Sequence, residues 1–125
     1  MLNNSIRILN FDDSVVKQKK LLAAYKNEIL DLKNLRSIAR NWVNPKTRGL
    51  IENRIKDSAI NSITFLGSGD FHHISEILIS RFKEPLTVIS FDFHPDWDTL
   101  PPRFGCGSWV SEVLKRKNAN VLPSS

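Results

Sequence analysis

Residues 86–98 read LTVISFDFHPDWD. Leu86 to Phe93 form a nearly continuous apolar run, the pattern of a strand buried on both faces of a parallel sheet. At its end Asp92, His94, Asp96 and Asp98 stand at every second position, with Phe93, Pro95 and Trp97 between them. In extended backbone alternate side chains point the same way, so Asp92, His94 and Asp96 should face one side. Phe93 and Trp97 would then pack against the core on the other. Carboxylates crowded in this way are costly unless an opposite charge compensates them, and a cation is the natural partner. Carboxylate oxygens with an imidazole nitrogen suit Mn²⁺, Fe²⁺ or Zn²⁺, and one cysteine is too few for a structural zinc site. The plainer alternative is a turn in which the Asp side chains cap backbone N–H groups and His94 is simply exposed.

Working outward, SITFLG (62–67) reads as a second strand. Phe71, Ile74, Leu78 and Phe82 then mark one stripe of an amphipathic helix, stopped by Glu84-Pro85. GSWVSEVLKRK (107–117) reads as another helix, and ANVL (119–122) as the start of another strand. Near the start of the chain, IRILNF (6–11) reads as a short strand and Asp12-Asp13-Ser14 as a turn. From about Val15 to Ile38, Leu21, Leu22, Tyr25, Leu30 and Leu32 recur at helical spacing and predict a helix. In NPKTRGLIENRIK (44–56), Asn44 is an N-cap and Pro45 the first helical residue. No repeat, linker or low-complexity tract interrupts this order.

Strand, helix, strand, helix, strand from residue 62 onward implies parallel βαβ units, an α/β protein. In an open parallel sheet the loops leaving the carboxyl ends of the strands share one edge, and ligands bind there. GSGDFHH (67–73) and DFHPDWD (92–98) are two such loops, so their histidines and carboxylates should meet. Gly67 and Gly69 permit a tight turn, but neither a P-loop nor a dinucleotide fingerprint is present. Asp70 reads either as a helix N-cap or as the hydrogen-bond partner of a metal-binding histidine. Adjacent residues at a helix start point about 100° apart, so only one of His72 and His73 can face a metal. His72 is preferred.

The chain has 125 residues, 41% hydrophobic and 25% charged, which fits one globular domain. The net charge of +5 is uneven: residues 1–60 hold 12 Lys/Arg against 6 Asp/Glu, the remainder 6 against 7. The basic residues lie at helical spacing among Leu and Ile, which reads as a solvated helix face and not as a nucleic-acid footprint. No apolar run approaches the roughly 18 residues of a membrane span. The start carries no secretory pattern, and the lone Cys106 suits a reducing compartment. The expected partner is a small-molecule substrate, in the cytoplasm, with no nucleic acid and no membrane.

GSGDFHH, then DFHPD, then Cys106-Gly107-Ser108 resembles the arginase–agmatinase (ureohydrolase) superfamily over roughly residues 62–122. Members carry Gly-Gly-Asp-His, then Asp-x-His-x-Asp, then a His-Gly segment, then Asp-x-Asp. The resemblance implies a three-layer α/β/α fold with a mainly parallel sheet. It also implies two Mn²⁺ (or Zn²⁺ or Fe²⁺) bridged by a hydroxide that attacks a guanidinium or related carbon. Carried over by position, His72, Asp92, His94 and Asp96 would be metal ligands, with Asp92 bridging, and Asp70 would support the site from behind. Phe71 stands between Asp70 and the first histidine. Cys106 stands where the family has its proton-shuttling histidine, and so inherits a catalytic position. The chain reaches its end before a later Asp-x-Asp segment, so residues 1–125 read as one arginase-like domain that is the N-terminal half of a longer one. On that reading the final strand has an open edge, a route to self-association.

Two rival readings remain. A calcineurin-like metallophosphoesterase also uses Asp-x-His and Gly-Asp segments, but in the reverse order. An arginase-like protein that binds metal or ligand without turnover accommodates Cys106 without difficulty.

Overall fold

Strand β1 (Ser5–Asn10) lies at the centre of a three-stranded parallel sheet, between β2 (Lys26–Asp31) and β3 (Ile63–Phe65). The computed structural model describes residues 5–60 and 62–124. β1 holds the central place because its apolar residues are buried on both faces, Ile6 and Ile8 on one and Leu9 on the other. A second parallel pair joins β4 (Leu86–Phe91) to β5 (Ala119–Ser124). The protein is therefore α/β with parallel pairing in both sheets. Among the described residues no pairing joins β3 to β4.

Residues 15–38 do not form the expected helix. They divide into α1 (Lys19–Ala24), β2, a 3-10 turn (Lys33–Leu35) and α2 (Arg36–Ala39). β2 runs in continuous register along β1, from Ser5 opposite Lys26 to Asn10 opposite Asp31. Pairing with a central strand overrides the helix preference of Lys, Glu and Leu, because tertiary context outweighs intrinsic propensity. Helix α3 (Pro45–Ile55) begins as the sequence implies, with Asn44 Oδ1 accepting the Thr47 N–H at 2.8 Å. The stripe begun by Phe71 enters through a 3-10 turn (Gly69–Ile74) before α4 (Ser75–Ser80).

Two cores organise the chain. Leu9, Phe11, Leu32, Ile51, Ile55, Phe71 and Ile74 form the first, beneath the β1 sheet. In it the Phe11 and Phe71 rings stack at 4.6 Å and 5°, tying the end of β1 to the turn after β3. Val110, Val113 and Trp109 of α5 (Trp109–Leu114) form the second core with Ala119, against Leu86, Val88 and Val121. α4 packs on α5 and joins the two. Across this junction the buried Glu76 accepts from Arg48 Nε and Nη2 and from Arg116 Nη2, each at 2.9 Å.

β4 departs from the expectation of burial on both faces. Leu86 and Val88 face α5, whereas Ile89 and Phe91 are 61% and 85% exposed. α5 covers one face of the β4–β5 pair; no described element covers the other. No helix among the described residues is long and apolar enough to cross a membrane.

Candidate metal centre

The loops that follow β3 and β4 meet through His72 and Asp96, although the two strands lie in different sheets. The first is set by Gly67, which adopts φ +94°. A Cβ there would sit 3.0 Å from Oδ1 of Asp12, the residue that follows Phe11 at the end of β1. Asp12 Oδ2 accepts the Ser68 N–H at 3.2 Å, fastening the loop to the central strand. Against the desolvation imposed by its surroundings, hydrogen bonds from Ser14 and Ser68 hold the Asp12 carboxyl below the usual range.

The 3-10 turn Gly69–Ile74 sends the two consecutive histidines in different directions. His73 is buried; its Nε2–H donates to the Ala39 carbonyl at 2.7 Å, and its Nδ1 lies 3.3 Å from the Cys106 thiol. Desolvation pushes its pKa down to about 4, so it is neutral at physiological pH. His72 turns instead toward the second loop. Its Nδ1–H donates to the Gly69 carbonyl, and its Nε2 lies 3.1 Å from both Asp96 Oδ2 and the Cys106 carbonyl. The Cys106 side chain, then the Gly69 carbonyl and the Asp96 charge, push its pKa up to about 10 against desolvation. Both ring nitrogens face acceptors, which favours the doubly protonated ring.

Asp96 is buried and adopts φ +53°. Its Oδ2 also accepts the Trp109 indole N–H at 3.0 Å. Desolvation first, and the neighbouring Asp92 carboxylate after it, raise its pKa. Asp92, held by the His94 backbone N–H at 3.1 Å, is lowered. The two carboxyl groups lie side by side in the cluster, so the charge of each bears on the other. One ligand atom from each of His72, Asp92 and Asp96 lies within 4.8 Å of the other two.

The sequence expectations fare unequally here. His72, not His73, reaches the carboxylates. His94 is not brought into the group: it is exposed, with its ring edge-on to Phe93 at 5.0 Å. The expected alternation fails because the chain does not stay extended. The His94 N–H turns back onto Asp92 Oδ1, and Asp96 takes a left-handed conformation. For the same reason Phe93 and Trp97 are exposed and do not pack in the core. Asp70 does not hydrogen-bond a histidine with its carboxylate; that group pairs with Arg40 Nε at 2.8 Å. The Gly69 carbonyl supports His72 in its place.

Cys106 stands beside both histidines, its N–H donating to the Asn41 carbonyl at 2.8 Å. A cavity of about 380 Å³ opens over the cluster, lined by His72, His94, Pro95, Asp96, Asp98, Cys106 and Gly107. Sequence reasoning gave no site role to Trp109 or Asp98. Trp109 carried only a helical signal, and its partner lies 13 residues earlier.

No family model and no solved structure matches the chain. A protein of Thermotoga maritima, described as an uncharacterized protein, is 31% identical over 119 residues. The match takes in 94% of this chain and 47% of that protein, so the chain spans about half the length of the relative it matches.

Proposed function

We propose that the chain is part of a metal-dependent hydrolase of the arginase (ureohydrolase) type, acting on linear or amidine C–N bonds of a small molecule in the cytoplasm. The observation that supports this reading is the His72–Asp92–Asp96 cluster, built from two loops at the carboxyl ends of parallel strands. Under the same reading the two sheets belong to one three-layer α/β/α arrangement.

The donor set fits a divalent cation. Gly69 holds the Nδ1–H of His72, which fixes the tautomer whose Nε2 lone pair is turned toward Asp96 once that nitrogen loses its proton. Asp92 and Asp96 crowd two carboxyl groups into a site where a cation would neutralise both. Two carboxylate oxygens and one imidazole nitrogen suit Mn²⁺, with Zn²⁺ or Fe²⁺ as alternatives. Such a cation supplies Lewis acidity and an activated water at neutral pH.

The residues around it do the rest. Trp109 orients Asp96 by a donor that cannot itself ionise. His94, Asp98 and Cys106 line the space where a substrate would sit. Cys106 offers a thiol and not an imidazole at the position of the family's histidine, so proton transfer from that position is weakened. This favours, as a second reading, an arginase-like metal-binding protein without turnover.

Turnover on the complete encoded polypeptide separates the readings. Manganese-dependent cleavage of arginine, agmatine or formiminoglutamate, abolished by Asp96→Ala, supports the hydrolase. Cleavage of a phosphodiester instead assigns the metallophosphoesterase. Retained metal with no turnover assigns the non-catalytic protein.

A further inference from the structure

We infer that a cavity at the amino ends of β1 and β2 is a second binding site, for a small oxyanion (a carboxylate or phosphate group) drawn to Arg7 and Lys26. The cavity measures about 220 Å³ and is bounded by Ser5, Arg7, Lys26, Glu28, Ala59 and Ser62. It lies at the edge of the three-stranded sheet opposite to the loop that carries His72, and it is independent of any metal there. A volume below the roughly 300–1,000 Å³ of pockets for larger ligands suits a small ion.

Arg7 carries the argument. It stands on the central strand two residues before Leu9 and on the same face, where an aliphatic residue is the ordinary choice. It is 3% exposed. Its Nη1–H donates to the Ala59 carbonyl at 2.6 Å and its Nη2–H to Thr64 Oγ1 at 3.0 Å, both neutral acceptors. Its Nε is buried and meets no acceptor among the described residues. Among those residues Arg7 forms no ion pair. Glu28 stands opposite it in the β1–β2 register, but that side chain is exposed and closes no pair.

Arg81 adds to the excess of positive charge. It donates from Nη2 to the Ser58 carbonyl, in the loop that Arg7 also holds, and its Nη1 is buried without an acceptor. Burial first, and then the charge of Arg81, push the Arg7 pKa below the usual arginine value. Arg81 has a local partner, since Ser58 lies just past the end of α3, where a helix presents negative potential. Arg7 has none. A buried cation is costly unless an opposite charge offsets it, and around the cavity Arg7 and Lys26 face Glu28 alone. A small oxyanion supplies the missing charge and accepts from guanidinium and ammonium donors alike. The plainer reading makes Arg7 only a brace between β1 and the loop before β3.

The test is anion titration of the chelator-treated 125-residue chain at constant ionic strength, with inorganic phosphate and, separately, acetate. Amide shifts in the NMR spectrum locate binding, and calorimetry measures it. Saturable shifts at Lys26, Ala59 and Ser62 are expected with at least one of the two, and the one that binds names the ligand group. Arg7→Met, its folding checked by circular dichroism, should lower affinity about tenfold or more, the cost of losing a hydrogen bond to a charged group. Lys26→Ala, at an exposed position, should lower it about threefold. No saturable shift with either anion, or shifts centred elsewhere, would overturn the inference. So would affinity unchanged in both Lys26→Ala and folded Arg7→Met. If Arg7→Met does not fold, the wild-type shifts and Lys26→Ala decide the matter.

Discussion

Trp109 donates its indole N–H to Oδ2 of Asp96 at 3.0 Å, the same oxygen that lies 3.1 Å from His72 Nε2. A helix in the second core thus orients a carboxylate of the first loop-to-loop contact. Trp109→Phe keeps an aromatic side chain in the second core and removes the indole N–H together with the pyrrole ring. It should leave the fold intact and weaken divalent-metal affinity about 10- to 100-fold, the usual cost of losing the hydrogen bond behind a ligand. Calorimetric titration with Mn²⁺ checks it; unchanged affinity would mean that Asp96 is positioned by the backbone alone.

The two neighbouring histidines should give the metal-free protein a stability maximum near neutral pH. His73, lowered to about 4 from 6.5, stays neutral in the fold while the unfolded chain takes up a proton, so its contribution is lost as pH falls from 6.5 toward 4. His72, raised from 6.5 to about 10, contributes stability that is complete below 6.5 and is lost as pH rises toward 10. Urea denaturation in the presence of a chelator should show both limbs, and His72→Gln should flatten the alkaline one. An alkaline limb unchanged in His72→Gln would contradict the His72 assignment.

Glu76 is 2% exposed and is the shared acceptor of Arg48 and Arg116. Glu76→Ala leaves the partly buried guanidinium of Arg48 with only the exposed Glu52 carboxylate, 3.2 Å from Nη1. It should destabilise the fold by about 3–5 kcal/mol, the range for breaking one side of a buried ion pair. Equilibrium denaturation measures it. A loss under about 1 kcal/mol would place the pair with exposed salt bridges, which contribute little.

At Gly67, φ +94° strains any other residue, and a Cβ would lie 3.0 Å from Asp12 Oδ1, which would have to shift slightly. Gly67→Ala should cost about 1–3 kcal/mol from backbone strain alone. Because the strained turn carries His72, metal affinity should fall as well. A variant with wild-type stability and affinity would show that the turn relaxes freely.

The parallel α/β architecture was legible because β1, β3, β4 and β5 each carry an apolar run, bounded by turn residues or helices. β2 was not. It is an edge strand, exposed along most of its length, and Lys26-Asn27-Glu28 show no alternation because neither face needs to be apolar. The site was legible to the level of loops: those after β3 and β4 do meet at His72 and Asp96, although the one open sheet from which that meeting was expected is two separate sheets. The failure at His94 is local: the Asx turn at Asp92 and the positive φ of Asp96 break the two-residue period on which the sequence reading depended. Trp109 escaped notice because a tryptophan at a helix start carries no sign of which polar group it will meet.

The most direct test of the central claim is paramagnetic broadening by Mn²⁺ in the NMR spectrum of the indole N–H groups. Of the three tryptophans, Trp109 touches Asp96 and Trp97 follows it in the chain, whereas Trp42 pairs with Gly105 outside the cluster. Substoichiometric Mn²⁺ should broaden the Trp109 indole signal before that of Trp42 in the wild type, and the effect should disappear in Asp96→Asn. Equal broadening of both signals, or selective broadening that persists in Asp96→Asn, would contradict a metal centre at His72, Asp92 and Asp96.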